Sequence, residues 1–270
     1  MTRPYPFRTA VIAVTLAFVG APVQSQDAQP RSQQQPAQRK QEHPLKKAIA
    51  IARESIRKME ALGDYQADLI KKEVVGKKAL TQQMKIKIRH KPFSVYMYYQ
   101  TPTELKGREV LFVEGKNNGN LLAHGTSTLE KLVGTVKLRP NSNTAMQDNR
   151  HPITKIGLLR TTEELIKQWQ TESQYGETEV KYYPDAKIDN IACKVVESSH
   201  PRPRKQFKFQ KTRLWIDAKT GLPIRVEQFG FPRDPKAKAP LVEQYTYRNL
   251  KPNLGLTDRD FDKTNPRYNF

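Results

Sequence analysis

Residues 84–99 read MKIKIRHKPFSVYMYY, and two different alternating patterns run through them. In the first, Met84, Ile86 and Ile88 share one face of an extended chain, and basic residues occupy the other face. A Lys91-Pro92 turn separates this pattern from the second. From Phe93 onwards apolar and aromatic side chains occupy both faces, which predicts a strand that is covered on both sides.

The same period of two recurs along the chain, with Gly, Pro and Asn in the connecting turns. Short connections indicate antiparallel pairing, and the lack of regular alternation between strands and helices argues against a parallel sheet. The predicted strands are 65–75, 80–90, 93–100, 108–114, 120–124, 178–183, 187–199, 207–217, 222–231 and 241–250.

Two amphipathic helices are expected to cover this sheet. The first opens at Pro44, carries apolar residues at helical spacing and ends at Gly63. A basic amphipathic helix can also lie on a membrane, but the strand patterns that follow favour packing against a sheet. Thr161-Thr-Glu-Glu164 is typical of a capping box and predicts the start of the second helix. The element order predicts an α+β domain, a strongly curved antiparallel sheet with helices on one side.

The N-terminal region predicts export. An apolar run over 10–19 follows two arginines, and Val23-Gln24-Ser25 offers small residues for cleavage near Ser25. This run is shorter than the roughly 20 apolar residues that span a bilayer. The Gln- and Pro-rich residues that follow have too little apolar content to fold. We therefore predict a cleavable signal peptide (1–25), a disordered linker (26–43), a single domain (44–270), and a periplasmic or secreted mature protein without a transmembrane segment.

The charge balance favours anionic partners. Lys and Arg number 47 against 27 Asp and Glu, so the formal net charge is +20. Nucleic acid is the usual partner of such a chain, but export and the absence of a nucleic-acid-binding motif argue against it. An anionic envelope polymer or a lipid is the expected partner. The single cysteine, Cys193, alternates with apolar neighbours and is expected to be a buried small hydrophobe.

No motif of a catalytic or metal site is evident. The five histidines stand at no metal-ligand spacing. Asp258, Asp260 and Asp262 begin like a calcium loop, but Lys263 and Asn269 replace its glycine and bidentate glutamate. Nucleophile elbows, phosphate loops and dinucleotide fingerprints are absent from the sequence. We expect no cofactor, no metal and no enzymatic activity.

Two groups of segments carry a family resemblance. LWIDAKTGLPIRVE (214–227) and YTYRNL (245–250) resemble the C-terminal half of periplasmic lipoprotein carriers and outer-membrane lipoprotein-sorting proteins. A second group resembles an exported bacterial family catalogued as domain of unknown function 1571. Its segments are KPFSVYMYYQ (91–100), GREVLFVEG (107–115), LLAHG (121–125) and DFDKTNPRYNF (260–270). Together the resemblance covers about residues 44–270.

The carrier resemblance implies a half-open barrel with helices on its concave side and an apolar hollow that accepts acyl chains. The polar insert 139–156 and the basic loop 200–206 depart from the carrier pattern, so no binding residue is transferred from it. The large side chains of the two-faced strand, together with Phe112 and Trp215, are expected to line the hollow. The predicted ligand-binding residues are Phe93, Val95, Tyr96, Met97, Tyr98, Phe112 and Trp215. Arg202, Arg204, Lys205 and Lys208 are predicted to hold an anionic headgroup or polymer.

The sequence therefore favours an exported, non-enzymatic binding protein that carries a lipid or a lipoprotein acyl chain. An alternative is a basic envelope interaction module that binds an acidic polymer or a partner protein. A third is a hydrolase whose site forms only in three dimensions, for which His124, His151, Glu109 and Glu114 are the first candidates.

Overall fold

The structure is a computed structural model that describes residues 42–127, 132–234 and 236–270, and the isolated positions 13, 15, 17 and 20. Apart from those four positions, the predicted signal peptide lies outside the described residues, and so does most of the predicted linker. Residues Gln41–Phe270 group as one unit. Among the described residues no helix has the length and apolar content needed to cross a membrane.

The described chain alternates short connections with strands. The helices are α1 (Leu45–Glu60), α2 (Asn143–Met146) and α3 (Leu158–Glu172). The strands are β1 (Asp64–Val75), β2 (Lys78–Arg89), β3 (Ser94–Thr101), β4 (Glu109–Val113), β5 (Leu121–His124), β6 (Val136–Leu138), β7 (Glu179–Ile188), β8 (Ile191–Ser199), β9 (Lys211–Asp217), β10 (Pro223–Phe229) and β11 (Leu241–Pro252). Short 3₁₀ helices span Thr103–Leu105, Asn117–Gly119, Ile153–Lys155 and Asp258–Phe261.

All these strands join one antiparallel sheet in the order β6-β5-β4-β3-β2-β1-β11-β10-β9-β8-β7. Two meanders, β1–β6 and β7–β11, meet where β1 pairs with β11 along most of its length. β6 and β7 are the free edges, so the sheet is curved but unclosed. The α+β class with a strongly curved antiparallel sheet, predicted from the sequence, is confirmed.

Both long helices pack on the concave side of the sheet. The buried stripe of α1, which includes Leu45 and Ile49, contacts Trp169 of α3 and Leu214 of β9. Trp169 is fully buried, and its indole Nε1 donates a hydrogen bond of 2.9 Å to Ser198 Oγ. Burial of such large side chains supplies most of the free energy that holds the helices on the sheet.

The start of α3 is fixed by the sheet beneath it. Gly157 precedes the helix with φ of 103°, and its N–H donates to the hydroxyl of Tyr247 at 3.2 Å. The Leu158 N–H donates to the hydroxyl of Tyr65 at 2.8 Å. Because these phenols satisfy amides of the first turn, α3 begins three residues before the predicted capping box at Thr161.

The C-terminal segment covers the convex side of β3–β5. Tyr268 stacks on Tyr96 with ring centroids 4.0 Å apart, and Phe261 is buried in the same cluster. The buried carboxylate of Glu109 accepts hydrogen bonds from the backbone and the side-chain amide of Asn269. This cover explains why the β3 sequence is apolar on both faces.

Some strand boundaries differ from the prediction. β7 continues to Ile188, and the chain then turns at Asp189, which has a φ of 53°. The prediction instead ends this strand at 183 and places the turn inside the next strand, 187–199. β9 begins at Lys211 rather than at Phe207. β6 is absent from the prediction because three residues offer too short an alternation to recognise.

Candidate functional site

A cavity of about 720 Å³ lies between the concave face of the sheet and the elements that cover it. Residues of β1–β6, β10 and β11 form its floor, and α3 and the polar insert 139–156 form most of the rest of its wall. Because β6 and β10 line the same cavity from distant positions in the strand order, the curvature of the sheet creates this space.

The β2–β6 side of the cavity is apolar. Alternate residues of these strands point inward, and they are aliphatic or sulfur-containing except for Tyr99. The lining residues on this side are Met84, Met97, Tyr99, Val110, Leu121, Ala123, Val136 and Leu138. We call this wall, apart from the Tyr99 hydroxyl, the apolar half.

The wall formed by β1, β11 and β10 is polar, and we call it the polar half. Glu73 and Glu243 face each other across the β1–β11 pair, and both are almost fully buried. Glu73 accepts a hydrogen bond from the Tyr245 hydroxyl and lies 3.3 Å from Lys71 Nζ. Gln228 of β10, opposite Glu243, also lines the cavity.

The insert 139–156 is attached to the sheet through these two carboxylates. The Arg150 backbone N–H donates to Glu73 at 3.1 Å, and Arg150 Nε donates to Glu243 at 2.6 Å. His151 Nε2 lies 3.0 Å from the same Glu243 oxygen, and Lys71 Nζ donates to Asn149 Oδ1. The insert thus holds its position over the cavity by charge-assisted hydrogen bonds.

Burial and pairing shift the pKa values in this region in opposite directions. Burial alone would raise the pKa of Glu243, but hydrogen bonds with His151 and Arg150 hold that pKa below its ordinary value. Burial lowers the pKa of Lys71, and the charge of Glu73 opposes this effect. Burial also raises the pKa of Tyr99 to about 12, so this phenol stays protonated and can donate a hydrogen bond.

The cavity reaches solvent along α3. Lys167, Thr171 and Lys208 line it and are exposed, and so is Val133. Lys167 is 2.8 Å from Glu164 of the same helix. Lys208 Nζ lies 5.2 Å from the ring centroid of Phe209, and Lys208 pairs with no acid among the described residues.

The predicted apolar ligand residues lie at three places. Met97 lines the cavity, and Phe93, Val95 and Phe112 pack in the core on the same face of the sheet. Tyr96 and Tyr98 lie on the convex face beneath the C-terminal segment. Trp215 donates from Nε1 to Glu227 at 2.9 Å and does not line the cavity.

The four predicted cationic residues are also divided. Lys208 lines the cavity. Arg202 and Arg204 both bind Glu177, at 3.3 and 2.8 Å. Lys205 is exposed and is not part of the cavity wall.

The four residues considered for a hydrolase do not meet at a single place. His151 joins Glu243 in the cavity wall, whereas Glu109 is buried on the convex face and Glu114 is exposed. His124 faces Glu109 in the β4–β5 register. Within the described ranges no three His, Cys, Asp or Glu side chains are grouped as metal ligands.

The sequence analysis misses the polar half of the cavity. Lys71 and Glu73 share the inward-facing positions of β1 with Leu69, and Glu243 shares those of β11 with Tyr245. The sequence does contain a signal for this polar half, namely charged residues at inward positions of alternating strands. Such residues are rarely buried unless they are paired, so their presence indicates a paired polar site.

Solved structures with similar folds come from several bacteria. Lipoprotein LppX of Mycobacterium tuberculosis has a TM-score of 0.46 and 14% identity, and the match covers 80% of this chain and 99% of that chain. A LolA superfamily protein of Nitrosomonas europaea has a TM-score of 0.34 and 12% identity, over 80% and 97% of the two chains. A DUF1329 family protein of Desulfovibrio piger has a TM-score of 0.40 and 14% identity, over 81% and 97%.

No curated protein matches this chain. The family model described as protein of unknown function (DUF1571) matches residues 62–270, which confirms the resemblance drawn from the sequence. The chain therefore belongs to the DUF1571 family.

Proposed function

We propose that this chain is an exported, non-enzymatic binding protein that holds an amphiphile, such as a lipid or a lipoprotein acyl chain, in its cavity. The observation that carries the proposal is the cavity itself. Its volume of about 720 Å³ falls within the range of about 300–1,000 Å³ that is usual for small-molecule sites. An apolar wall over half of its floor matches an alkyl chain.

Burial of alkyl surface supplies the affinity in this proposal. Each methylene group that leaves water for the apolar half contributes about 0.8 kcal/mol. Met84 and Met97 are part of this wall, and their flexible thioether side chains adapt to chains of different shape.

Lys208 is the best-placed cation for an anionic headgroup. It lines the exposed part of the cavity, and no described carboxylate neutralises its charge. Lys167 lies nearby in the wall but already pairs with Glu164.

The first test is the recovery of a ligand. Native mass spectrometry and lipid extraction of the protein purified from its own envelope are expected to find a bound amphiphile, and the purified protein is expected to take up a fluorescent fatty acid. Ala123→Phe places a ring in the cavity and is expected to weaken uptake about tenfold, or about 1.4 kcal/mol. Ala192→Phe is the matched control, because Ala192 is exposed on β8. Failure to find lipid, together with no uptake, would overturn the proposal.

The second test concerns the headgroup. Lys208→Gln is expected to weaken binding of a fatty-acid anion about threefold and to reduce its salt dependence. Lys205→Gln removes a charge from the same basic segment outside the cavity and should leave binding unchanged. Equal effects of the two substitutions would mean that the net charge, rather than Lys208, attracts the ligand.

The excess of basic residues favours a second candidate, the binding of an acidic envelope polymer or partner protein. This candidate predicts binding that weakens steeply with salt and does not respond to Ala123→Phe. Acyl-chain binding should persist at high salt, because it depends on apolar burial.

A further inference from the structure

The two halves of the cavity require different ligand chemistry. Met97 and Leu121 represent the apolar half, whereas Glu73, Glu243 and Gln228 stand side by side across β1, β11 and β10 in the polar half. An alkyl chain is suited only to the first wall. The part of the ligand that contacts the polar half must therefore be polar.

The charges of the polar half already balance each other. Lys71 pairs with Glu73, and Arg150 and His151 pair with Glu243. A further compact charge placed among these groups would be buried without a counterion, which is strongly unfavourable. The groups of the polar half can still form hydrogen bonds with a ligand, but none of their charges lacks a partner.

Two buried groups have open hydrogen-bonding capacity: Glu243 in the polar half, and Tyr99, whose hydroxyl on β3 is near enough to Glu73 for the two to interact electrostatically. Tyr99 is 6% exposed and lines the cavity, and its hydroxyl has no hydrogen-bond partner among the described residues. Glu243 uses one carboxylate oxygen, Oε2, for both Arg150 and His151, while Oε1 accepts no hydrogen bond from any described residue. A saturated chain packed against these groups would remove their water and return no hydrogen bond.

We propose that the polar half, together with the Tyr99 hydroxyl, binds uncharged hydroxyl groups of the ligand's headgroup, so that the ligand class is an amphiphile with a hydroxylated head. A hydroxyl can donate to Glu243 Oε1 and can accept from the Tyr99 hydroxyl. The acyl chain then lies along the apolar half, and an anionic group of the same head lies near Lys208. This inference rests on the proposed function, because it assigns the ligand of the same cavity.

The test compares two lysophospholipids with the same acyl chain and the same single negative charge. One carries glycerol on its phosphate, and the other carries an ethyl group and so lacks the head hydroxyls. Both compete with a fluorescent fatty acid for the full-length protein. The glycerol lipid is expected to bind about fivefold more tightly, because one or two additional hydrogen bonds contribute a free energy of this size.

Tyr99→Phe removes only the open hydroxyl and is expected to reduce this preference to about twofold or less. It should leave the unfolding midpoint of the free protein unchanged, since the hydroxyl has no partner to lose. Tyr98→Phe on the convex face is the control and should keep the full preference. Equal binding of the two lipids by the unmodified protein, or a preference that Tyr99→Phe leaves undiminished, would overturn the inference and leave the carrier function standing. Displacement of the probe by neither lipid would instead count against the proposed function.

Discussion

Glu243 has an unusual position for a carboxylate, since it points into a cavity and is only 3% exposed. Arg150 and His151 make this possible by sharing one of its oxygens at 2.6 and 3.0 Å. Their hydrogen bonds also join the insert to β11. The same carboxylate therefore contributes both to the wall of the cavity and to the attachment of the segment above it.

Glu243→Gln is predicted to destabilise the protein by about 1–3 kcal/mol. The amide keeps the shape of the side chain but removes the charge that Arg150 and His151 share. Denaturant unfolding of both proteins would measure the difference. Glu114→Gln, at an exposed glutamate, should change the unfolding free energy by less than about 0.5 kcal/mol. A Glu243→Gln protein as stable as the control would mean that the ion pairs of Glu243 do not stabilise the attachment of the insert.

The sequence analysis names Met97 and Lys208, which line the cavity, because an apolar strand and a basic segment can be recognised locally. It misses Glu73 and Glu243 as a pair, because they are far apart in the chain and meet only through the β1–β11 register. Alternation places each of them on an inward face, but the cation that stabilises a buried carboxylate comes from a distant insert.

At the scale of elements, α3 depends on a glycine at its entrance. Gly157→Ala would force a side chain onto a φ of 103°, and the new Cβ would lie 2.7 Å from Ile88 Cδ1 and 3.0 Å from the Tyr65 hydroxyl. We predict a loss of about 1–3 kcal/mol of unfolding free energy in thermal or denaturant melts. Gly176→Ala, where nothing lies within 4 Å, should be neutral or slightly stabilising. Similar effects at both positions would contradict the role assigned to Gly157.

The pairing between α3 and the insert should also depend on pH. Hydrogen bonds from Lys155 and Lys167 lower the pKa of Glu164 to about 2. A folded-state pKa below the unfolded value contributes stability above the unfolded pKa of about 4.3, and this contribution is lost as pH falls towards 2. Glu164→Gln should therefore lower the urea midpoint at neutral pH by a small amount, and this effect should disappear as pH falls through about 2. In a Lys155→Gln background the effect should shrink, and an unchanged effect would contradict the assigned pairing.

The prediction of elements succeeds where a pattern is long and fails where tertiary contacts decide. The strands from β1 to β3 follow their alternation closely. The start of α3 differs because the Tyr65 and Tyr247 hydroxyls bind its first amides, and no local residue signals those partners. The capping-box motif at Thr161 has the expected residues, but it lies inside α3, which begins at Leu158 because of its contacts with the sheet.

At the scale of the whole molecule, the sheet separates two apolar regions with different roles. The concave side is left partly open as a cavity, and the convex side of β3–β5 is closed by the chain's own C-terminal segment. Lys87 binds Asp260 at 2.8 Å and Arg89 binds Asp258 at 2.8 Å, which fixes that segment on the convex face. Substitutions on one side should therefore have little influence on the other, because the buried side chains of the two faces form separate clusters.

Phe261→Ala tests this separation. Phe261 is 3% exposed beneath the C-terminal segment, so its truncation is predicted to cost about 3 kcal/mol of unfolding free energy. Uptake of a fluorescent fatty acid by the folded protein should stay within about twofold of normal. This corresponds to a change of about 0.4 kcal/mol or less in the binding free energy. Ala123→Phe should give the opposite result, with weak uptake and little change in stability. If Phe261→Ala instead weakens uptake as much as Ala123→Phe does, the C-terminal cover and the cavity are coupled through the sheet.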